Sequence, residues 1–303
     1  MRDAFISELV KIASEDDRAF LITGDLGFGV LNEYQERFPN QFLNVGVAEQ
    51  NMTAVAAGMA LEGYKVYTYS IGNFPILRGL EHLRNLVCYH SLDVTAVSVG
   101  GGFSYGQLGM SHFATEDIAI MRALPNMCVV SPTEAWETAA LTRQIHDKTG
   151  PTYLRLDKSI GGTDQADVQL GRIRSIRDGR DVVILATGGI LKEAVEAASL
   201  LETEGISTSV LAVHTVKPFD VDSMIEHDGK LFVTLEEHNK IGGLGGVVSE
   251  VIAEQGLSFQ GLLRIGLNDE YPTVVGDQNY LRGTHGMTAK TVAKRVVEKL
   301  RSA

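Results

Sequence analysis

Cysteine, net positive charge and long apolar runs are all scarce in this chain of 303 residues. Its two cysteines, Cys88 and Cys128, are far apart and form no Cys-x-x-Cys pair, so the sequence indicates neither a disulfide framework nor a cysteine-rich zinc site. Asp and Glu number 38 against 27 Lys and Arg, which gives a net charge of −11. Because nucleic-acid-binding proteins need clustered cations, this charge predicts no nucleic-acid partner, whereas a small anionic substrate needs only one or two cations.

The longest apolar stretches, such as residues 181–187, fall far short of the roughly 20 residues that a membrane span needs. The first twenty residues predict an amphipathic helix with acidic side chains and lack the apolar core of a secretory signal. Together with two reduced cysteines, these features predict a cytoplasmic protein without a membrane partner.

Short β-branched segments alternate with longer helical patterns in both halves of the chain, which is typical of parallel sheets with crossover helices. The stretch 158–180 is polar, contains glycine and has no sustained periodicity, so it predicts a linker. We therefore expect two three-layer α/β domains with mainly parallel sheets, over residues 1–157 and 181–303. In the first domain the expected strands are 19–24, 65–70, 93–99, 127–130 and 152–156, and the helices 48–62, 76–90, 116–123 and 133–147. In the second domain the strands are 181–187, 206–213, 230–235 and 262–266, and the helices 190–203, 221–227, 244–255 and 287–300.

The glycine-rich turns do not carry the usual nucleotide-binding patterns. GGGFSYG at 100–106 lacks the third glycine of a dinucleotide fingerprint, and GGLGG at 242–246 lacks the Lys-Ser/Thr of a phosphate loop. TGG at 187–189 lies between a predicted strand and helix, where free backbone N–H groups could hold an anion, although a plain tight turn explains it more simply. The spacing of histidines and carboxylates predicts no metal site, and no Gly-x-Ser-x-Gly elbow is present.

Residues 45–63, VGVAEQNMTAVAAGMALEG, place Glu49 at the start of a predicted helix lined with Ala, Gly and Met. Taken alone, an acid in the first turn of a helix only reflects the helix dipole. The ordered pattern of Ala-Glu-Gln, a small-residue helix and Gly-Tyr-Lys resembles the thiamine-diphosphate enzymes of the transketolase and deoxyxylulose-phosphate synthase branch. The resemblance implies a pyrimidine-binding domain followed by a transketolase C-terminal domain.

In that family the corresponding glutamate bonds a ring nitrogen of the cofactor's aminopyrimidine. The resemblance therefore implies that thiamine diphosphate is the cofactor and that Glu49 is catalytic. A largely desolvated carboxyl group that donates a proton to the ring favours the imino form of the exocyclic amine, which can then deprotonate the thiazolium carbon. Asp25, within GDLGFG at 24–29, matches a family aspartate near the cofactor.

Residues 64–87 resemble the strand, loop and helix that place an aromatic ring against the pyrimidine in this family. Phe74 is the predicted stacking residue and Tyr69 the second candidate, and such a ring would contribute about 0.5–1.5 kcal/mol beyond burial. An ordinary core position for Phe74, just before Pro75, stays open as the alternative.

Residues 100–137 resemble the family's glycine-rich loop that ends in a histidine near the reacting carbon. The resemblance implies that His112 is catalytic and substrate-binding, either by bonding substrate hydroxyls or by stabilising developing negative charge. Transketolases commonly carry acidic residues just before this histidine, whereas this chain has Gln107 and Leu108. Contacts to one substrate hydroxyl are therefore expected to differ.

PTYLRLDKS at 151–159 resembles the strand end whose arginine binds substrate phosphate. Lys158 occupies the arginine position and Arg155 lies on the same strand, so both are predicted substrate-binding residues. Lysine can bind phosphate but lacks the bidentate fork of arginine, which makes an unusual or non-phosphorylated sugar conceivable.

Full-length transketolases begin with a domain that holds the diphosphate through Mg²⁺, and the Gly-Asp-Gly segment of that domain is not found in this sequence. The resemblance therefore implies a separate diphosphate-binding subunit that holds the Mg²⁺, and homodimerisation within an α2β2 assembly supported by residues 233–251. The expected activity is transfer of a two-carbon ketol unit from a ketose (phosphate) to an aldose. A 2-oxo-acid dehydrogenase β-subunit, a deoxyxylulose-phosphate-synthase-like enzyme and a catalytically silent subunit remain alternatives.

Overall fold

The computed structural model describes residues 1–302 and contains two α/β domains with mostly parallel sheets, as the sequence predicts. The strands are β1 (Ala19–Thr23), β2 (Phe42–Asn44), β3 (Lys65–Ile71), β4 (Val94–Val99), β5 (Cys128–Val130), β6 (Thr152–Leu156), β7 (Arg174–Arg177), β8 (Val182–Ala186), β9 (Thr208–Ala212), β10 (Thr215–Lys217), β11 (Leu231–Asn239) and β12 (Gly261–Leu267). The helices are α1 (Arg2–Glu15), α2 (Asn32–Arg37), α3 (Glu49–Leu61), α4 (Phe74–His82), α5 (Asp117–Ala123), α6 (Ala135–Asp147), α7 (Leu191–Thr203), α8 (Val221–Ile225), α9 (Leu244–Gln255), α10 (Gln278–Thr284) and α11 (Ala289–Arg301). A π-helical segment, Leu83–Cys88, continues α4.

The first sheet has seven strands in the order β10-β5-β6-β4-β3-β1-β2, and every neighbouring pair is parallel except β10 with β5. α1 and α6 cover one face of this sheet, while α3 and α4 cover the other. The second sheet has the order β12-β11-β8-β9-β7, with β7 antiparallel at its edge. α7 and α11 pack on one face of it and α9 on the other, so both domains have three layers.

The two sheets do not divide cleanly at the boundary predicted near residue 180. β10 belongs to the second half of the chain, yet it pairs with β5 at the edge of the first sheet. β7 falls within the stretch predicted as a linker, 158–180, and forms the edge of the second sheet. Both strands are three or four residues long, so they carry too few side chains for a recognisable alternation.

The hydrophobic core is also shared between the two halves. One cluster of buried side chains includes Met52 from α3 and Val183 from β8, and so joins the facing surfaces of the two sheets. A second cluster, centred on the second sheet, takes in Phe103 and Phe113 from the loop after β4. The site-bearing loop of the first domain is therefore anchored in the second. Between Met1 and Ser302, no helix is both long and apolar enough to cross a membrane.

Candidate active site

Glu49 begins α3 at the carboxyl edge of the first sheet, and its side chain is only 3% exposed. A guanidinium nitrogen of Arg78 donates to Oε1 of Glu49 over 2.8 Å, while half of the Arg78 side chain stays exposed. An ionised carboxylate is costly to bury without such a partner. Glu49 and Arg78 border an open cleft of about 600 Å³ together with Val47 and Leu77.

Phe74 lies beside this ion pair, at the first position of α4. The guanidinium carbon of Arg78 stands 4.3 Å from the centroid of the Phe74 ring, within the range of a cation–π contact. The ring of His112 also contacts that of Phe74 in an edge-to-face arrangement, with centroids 5.2 Å apart. The structure thus brings together three predicted residues, Glu49, Phe74 and His112, in one row of contacts linked by Arg78.

Two residues after β3 explain how this row forms. Gly72 has φ +46°, and a Cβ atom on it would stand only 3.1 Å from the carbonyl oxygen of His112, so the two loops approach closely there. The side-chain amide of Asn73 donates to the carbonyl of Phe113 over 2.9 Å. The loop after β3, which leads into Phe74, is therefore fastened to the loop that carries His112.

The row continues from His112 to the predicted substrate residue Lys158. The half-buried ring of Tyr105 lies 6.5 Å from the His112 ring, and Nζ of Lys158 stands 3.9 Å from the Tyr105 centroid. Burial, with a smaller contribution from the nearby Arg2, lowers the pKa of Lys158. Tyr105 and Lys158 border a cavity of about 210 Å³ that also contacts Arg2 and Asp3.

Asp25 is exposed in the turn after β1 and has a left-handed backbone, φ +59°. Its backbone N–H donates to Oδ1 of Asn44 over 2.9 Å, and Nδ2 of Asn44 donates back to its carboxylate over 3.1 Å. Oδ1 of Asn44 also accepts from the N–H of Gly46, three residues before Glu49. Asn44, which the sequence did not single out, thus connects the predicted Asp25 to the segment that leads into Glu49.

Tyr69 is placed away from this row. Side chains alternate across a strand, and Tyr69 points to the sheet face covered by α1, where its ring stacks on Phe5 with centroids 6.4 Å apart. Glu49 begins the helix on the opposite face. Burial raises the pKa of Tyr69, as expected for a core phenol. The structure therefore supports Phe74 over Tyr69 as the ring beside Glu49.

The structure contradicts the prediction that Arg155 binds substrate, because its guanidinium group is buried and bonds other residues of the protein. The residue is 1% exposed; its Nε donates to Oδ2 of Asp117 over 2.7 Å and its Nη2 to the carbonyls of Ala114 and Glu237 over 3.0 Å each. Tyr153 donates to the same carboxylate. Arg155 therefore joins the two domains and does not reach the cleft as the predicted substrate residue.

The glycine turns prove to serve close packing. Gly102, with φ +60°, passes so near Glu237 that a Cβ atom would collide with the carboxylate of that residue. Gly189, in the turn at 187–189, donates its N–H to Oδ2 of Asp157 over 3.2 Å. The anion that the backbone N–H groups of this turn could hold is thus the carboxylate of Asp157, which belongs to the protein itself. At α9, the carboxylate of Glu236 likewise accepts from the N–H groups of Leu244 and Gly245.

Comparisons with known proteins show the family to which the chain belongs. Two family models match the chain, the transketolase pyrimidine-binding domain over residues 1–162 and the transketolase C-terminal domain over residues 171–292. A putative transketolase C-terminal section from Methanocaldococcus jannaschii is 37% identical over 99% of this chain and 96% of its own length. A 6-deoxy-6-sulfo-D-fructose transketolase subunit from Clostridium sp. is 34% identical over 98% of this chain and 94% of its own. The solved structure of a split-gene transketolase, described as an inactive β4 tetramer, is 33% identical, with a TM-score of 0.86 over 99% of this chain and 97% of that one.

These matches show that the chain belongs to the transketolase family. Within the family it contains the pyrimidine-binding domain and the C-terminal domain, and it is similar over nearly its whole length to carboxy-terminal subunits of the split type. The family resemblance and the two-domain α/β fold expected from the sequence are both confirmed.

Family membership implies dependence on thiamine diphosphate, and the residues present fit the pyrimidine part of that cofactor. Glu49 offers a buried carboxylate at the wall of an open cleft, and Phe74 offers a half-buried aromatic ring beside it. In the described part of the chain, no group of three or more His, Cys, Asp or Glu side chains is arranged to hold a metal ion.

Proposed function

We propose that this chain supplies the pyrimidine-binding half of the active site of a thiamine-diphosphate-dependent transketolase, which transfers a two-carbon ketol unit from a ketose to an aldose. The observation that carries the proposal is the row of contacts from Glu49 through Arg78 and Phe74 to His112. Glu49, Phe74 and His112 follow β2, β3 and β4, so all three stand at the carboxyl edge of the parallel sheet, where α/β folds bind their ligands.

Glu49 would hold the ring nitrogen of the aminopyrimidine. Since Arg78 already donates to Oε1 of Glu49, the second oxygen, Oε2, is the one left to carry the proton that is donated to the ring nitrogen. Phe74 would face the ring and limit its tilt. When bound, thiamine diphosphate supplies the acidic carbon that takes up the two-carbon unit.

His112 and Lys158 would act on the sugar. His112 stands next to Phe74, from where its imidazole could bond a substrate hydroxyl or steady charge that develops on an oxygen. Its Nδ1 lies 2.9 Å from Oγ of Ser111, which fixes the orientation of the ring. Lys158 lies one aromatic ring further along the row and would bind an anionic end of the sugar, such as a phosphate or sulfonate.

A partner subunit would hold the diphosphate and Mg²⁺, since a cofactor with about two negative charges needs a metal clamp. Two features support a partner: relatives of nearly equal length bear names that describe a subunit or a C-terminal section, and the cleft beside Glu49 is open, with Val47 and Leu77 exposed at its wall. We propose an α2β2 assembly.

Glu49→Gln tests the proposed role. In the assembly with its partner, thiamine diphosphate and Mg²⁺, the variant should lose about 100- to 10,000-fold in turnover, since glutamine cannot donate the proton that the ring nitrogen needs. Turnover is measured with a ketose phosphate as donor and an aldose phosphate as acceptor. The matched control is Glu62→Gln, which changes an exposed glutamate just after the same helix and should keep full activity.

Near-native turnover of Glu49→Gln would refute the proposed role. Product formation from pyruvate instead of a ketose would identify a deoxyxylulose-phosphate-synthase-like reaction. Absence of turnover with every donor, despite assembly with the partner, would indicate a catalytically silent subunit.

A further inference from the structure

The backbone of Lys158 is held in place by hydrogen bonds made by Lys158 itself and by the residues that precede and follow it in the chain. Its backbone N–H lies 3.3 Å from Oγ of Ser104, and that hydroxyl donates to Oδ1 of Asp157 over 3.0 Å. The backbone N–H and the hydroxyl of Ser159 also donate to Asp157, each over 3.0 Å. The Asp157 carboxylate therefore sets the course of the chain through Lys158.

Asp157 is itself held by the second domain. Nε2 of Gln278, the first residue of α10, donates to its Oδ1 over 3.0 Å, and the N–H of Gly189 donates to its Oδ2 over 3.2 Å. Burial opposes ionisation of this carboxyl group, but Arg282, Gln278 and Arg155 outweigh burial and keep its pKa below the usual value. The Lys158 segment thus depends on side chains more than a hundred residues later in the sequence.

Arg282, one turn further along α10, completes the connection. It is 3% exposed, its Nη2 donates to Oγ of Ser159 over 2.8 Å, and its Nε bonds the carboxylate of Glu237. Gln278 donates to both oxygens of Glu237, over 3.1 and 2.9 Å. Because all of these groups lie in the interior or at its margin, each lost bond would leave a polar atom without compensation.

The carboxylates of Glu237 and Asp157, which α10 holds, also bond the loop that carries Tyr105. The N–H of Phe103 donates to Oε2 of Glu237 over 3.0 Å, and Ser104 bonds Asp157. The ring of Phe103 stacks on His285, which follows α10, with centroids 5.5 Å apart. Both residues of the cation–π pair, Tyr105 and Lys158, therefore stand on segments that α10 fastens.

We propose that Gln278 and Arg282 are positioning residues, which hold Lys158 against Tyr105 so that its ammonium group binds the anionic end of an acidic sugar substrate. The inference rests on the proposed function for its substrate, but the geometry concerns this chain alone. A lysine binds an anion as a point charge without a fixed fork, so its selectivity depends on how firmly its backbone and its stacking partner are placed.

The first test uses the full chain by itself, with inorganic phosphate as the probe. The rate at which an N-hydroxysuccinimide ester acylates Lys158 is followed by peptide mass spectrometry, with the exposed Lys290 as internal reference. We expect phosphate to slow acylation of Lys158 and not of Lys290. This protection should be lost in Gln278→Ala and in Arg282→Lys, which keeps the charge beside Glu237 but not the bond to Ser159.

The matched control is Arg122→Met. Arg122 also joins the two domains, through the carbonyl of Gly242 and the carboxylate of Glu250, but it lies in α5 and does not contact α10. The Arg122→Met variant should lower the unfolding temperature about as much as the α10 variants do, while phosphate still protects its Lys158 from acylation. The proposal is overturned if phosphate protects Lys158 equally in the native chain and in the α10 variants, or does not protect it in the native chain.

The second test uses the assembly with its partner subunit. Gln278→Ala and Arg282→Lys should raise KM for a phosphorylated aldose about tenfold, the equivalent of one lost hydrogen bond, with kcat and the KM of a neutral aldose unchanged. An equal loss with both aldoses would overturn the positioning role. If the native assembly has no transketolase activity while the protection pattern is as expected, the proposed function fails and the anion site stands.

Discussion

At the scale of single residues, the buried carboxylate of Glu49 forms an ion pair with one arginine, Arg78, whose side chain is half exposed. Arg78 donates to that carboxylate and lies over Phe74 at the same time. Its planar guanidinium suits both contacts, which a lysine could not make together. Arg78 is thus a candidate positioning residue that sequence motifs did not indicate.

Arg78→Met should therefore lower the unfolding free energy by about 1 kcal/mol, since the partner of a buried carboxylate is lost but half of the arginine was in solvent. Urea unfolding measures the effect. Arg84→Met, at an exposed position on the following helical segment, is the control and should cost much less. Equal stability of the two variants would show that the ion pair contributes nothing.

His112→Gln should reduce turnover of the assembly about 100- to 1,000-fold if the imidazole steadies charge in the transition state. Folding should be unaffected, because the side chain is only half-buried. His90→Gln, at an exposed position, should keep native turnover. A change confined to KM would instead indicate that His112 binds substrate without acting on charge.

Glu49, Phe74 and His112 could be singled out from the sequence as neighbours because each lies in a short motif with a fixed order. Arg155 could not be assigned that way, because Asp117 and the Glu237 carbonyl that hold it are distant in sequence. Tyr69 could have been separated from Phe74 by the alternation along β3, since it shares a sheet face with Tyr67 against α1.

At the scale of secondary-structure elements, the long parallel strands and their crossover helices followed from hydrophobic patterning, whereas the short edge strands did not. β10 has three residues and gains its position by pairing with β5 and by other tertiary contacts. α10 has seven residues, and its role depends on Gln278 and Arg282 meeting carboxylates of other segments. Such elements are stabilised by tertiary contacts, which local propensity does not encode.

Lys217 at the end of β10 shows how an edge strand is fastened. Its ammonium group donates to the carbonyls of Arg122 and Leu124 over 2.9 and 2.6 Å, at the negative end of α5. Lys217→Met should lower the unfolding free energy by about 1 kcal/mol, measured by urea unfolding. Lys290→Met, at an exposed position, should change it little; a similar cost in both variants would contradict the assignment.

At the scale of the whole molecule, a core shared by both sheets and a strand exchanged between them predict that the domains unfold together. The pH dependence of that transition should reflect His146 and His214, whose pKa values burial lowers below 6.5. Below pH 6.5 these histidines bind protons in the unfolded chain that they do not bind in the folded chain. Their contribution to the free energy of unfolding therefore falls as the pH is lowered.

Urea midpoints of the native chain and of His214→Gln at about pH 7.5 and about pH 6 measure this effect, because the raised pKa values of Glu236 and Glu237, which act in the opposite sense above pH 4.5, are common to both proteins. His214→Gln should reduce the difference between the two midpoints. An equal difference between the two midpoints in the native chain and in His214→Gln would contradict the prediction.

The strand β10 also has a consequence for synthesis on the ribosome. The six strands β1 to β6 have been translated once Leu156 is made, but the edge of β5 stays uncovered until Thr215–Lys217 follows about 60 residues later. At about 5–20 residues per second, that interval lasts roughly 3–12 s. Throughout it, the nascent sheet presents unpaired backbone groups to neighbouring chains, which makes this the period when a chaperone has most to protect.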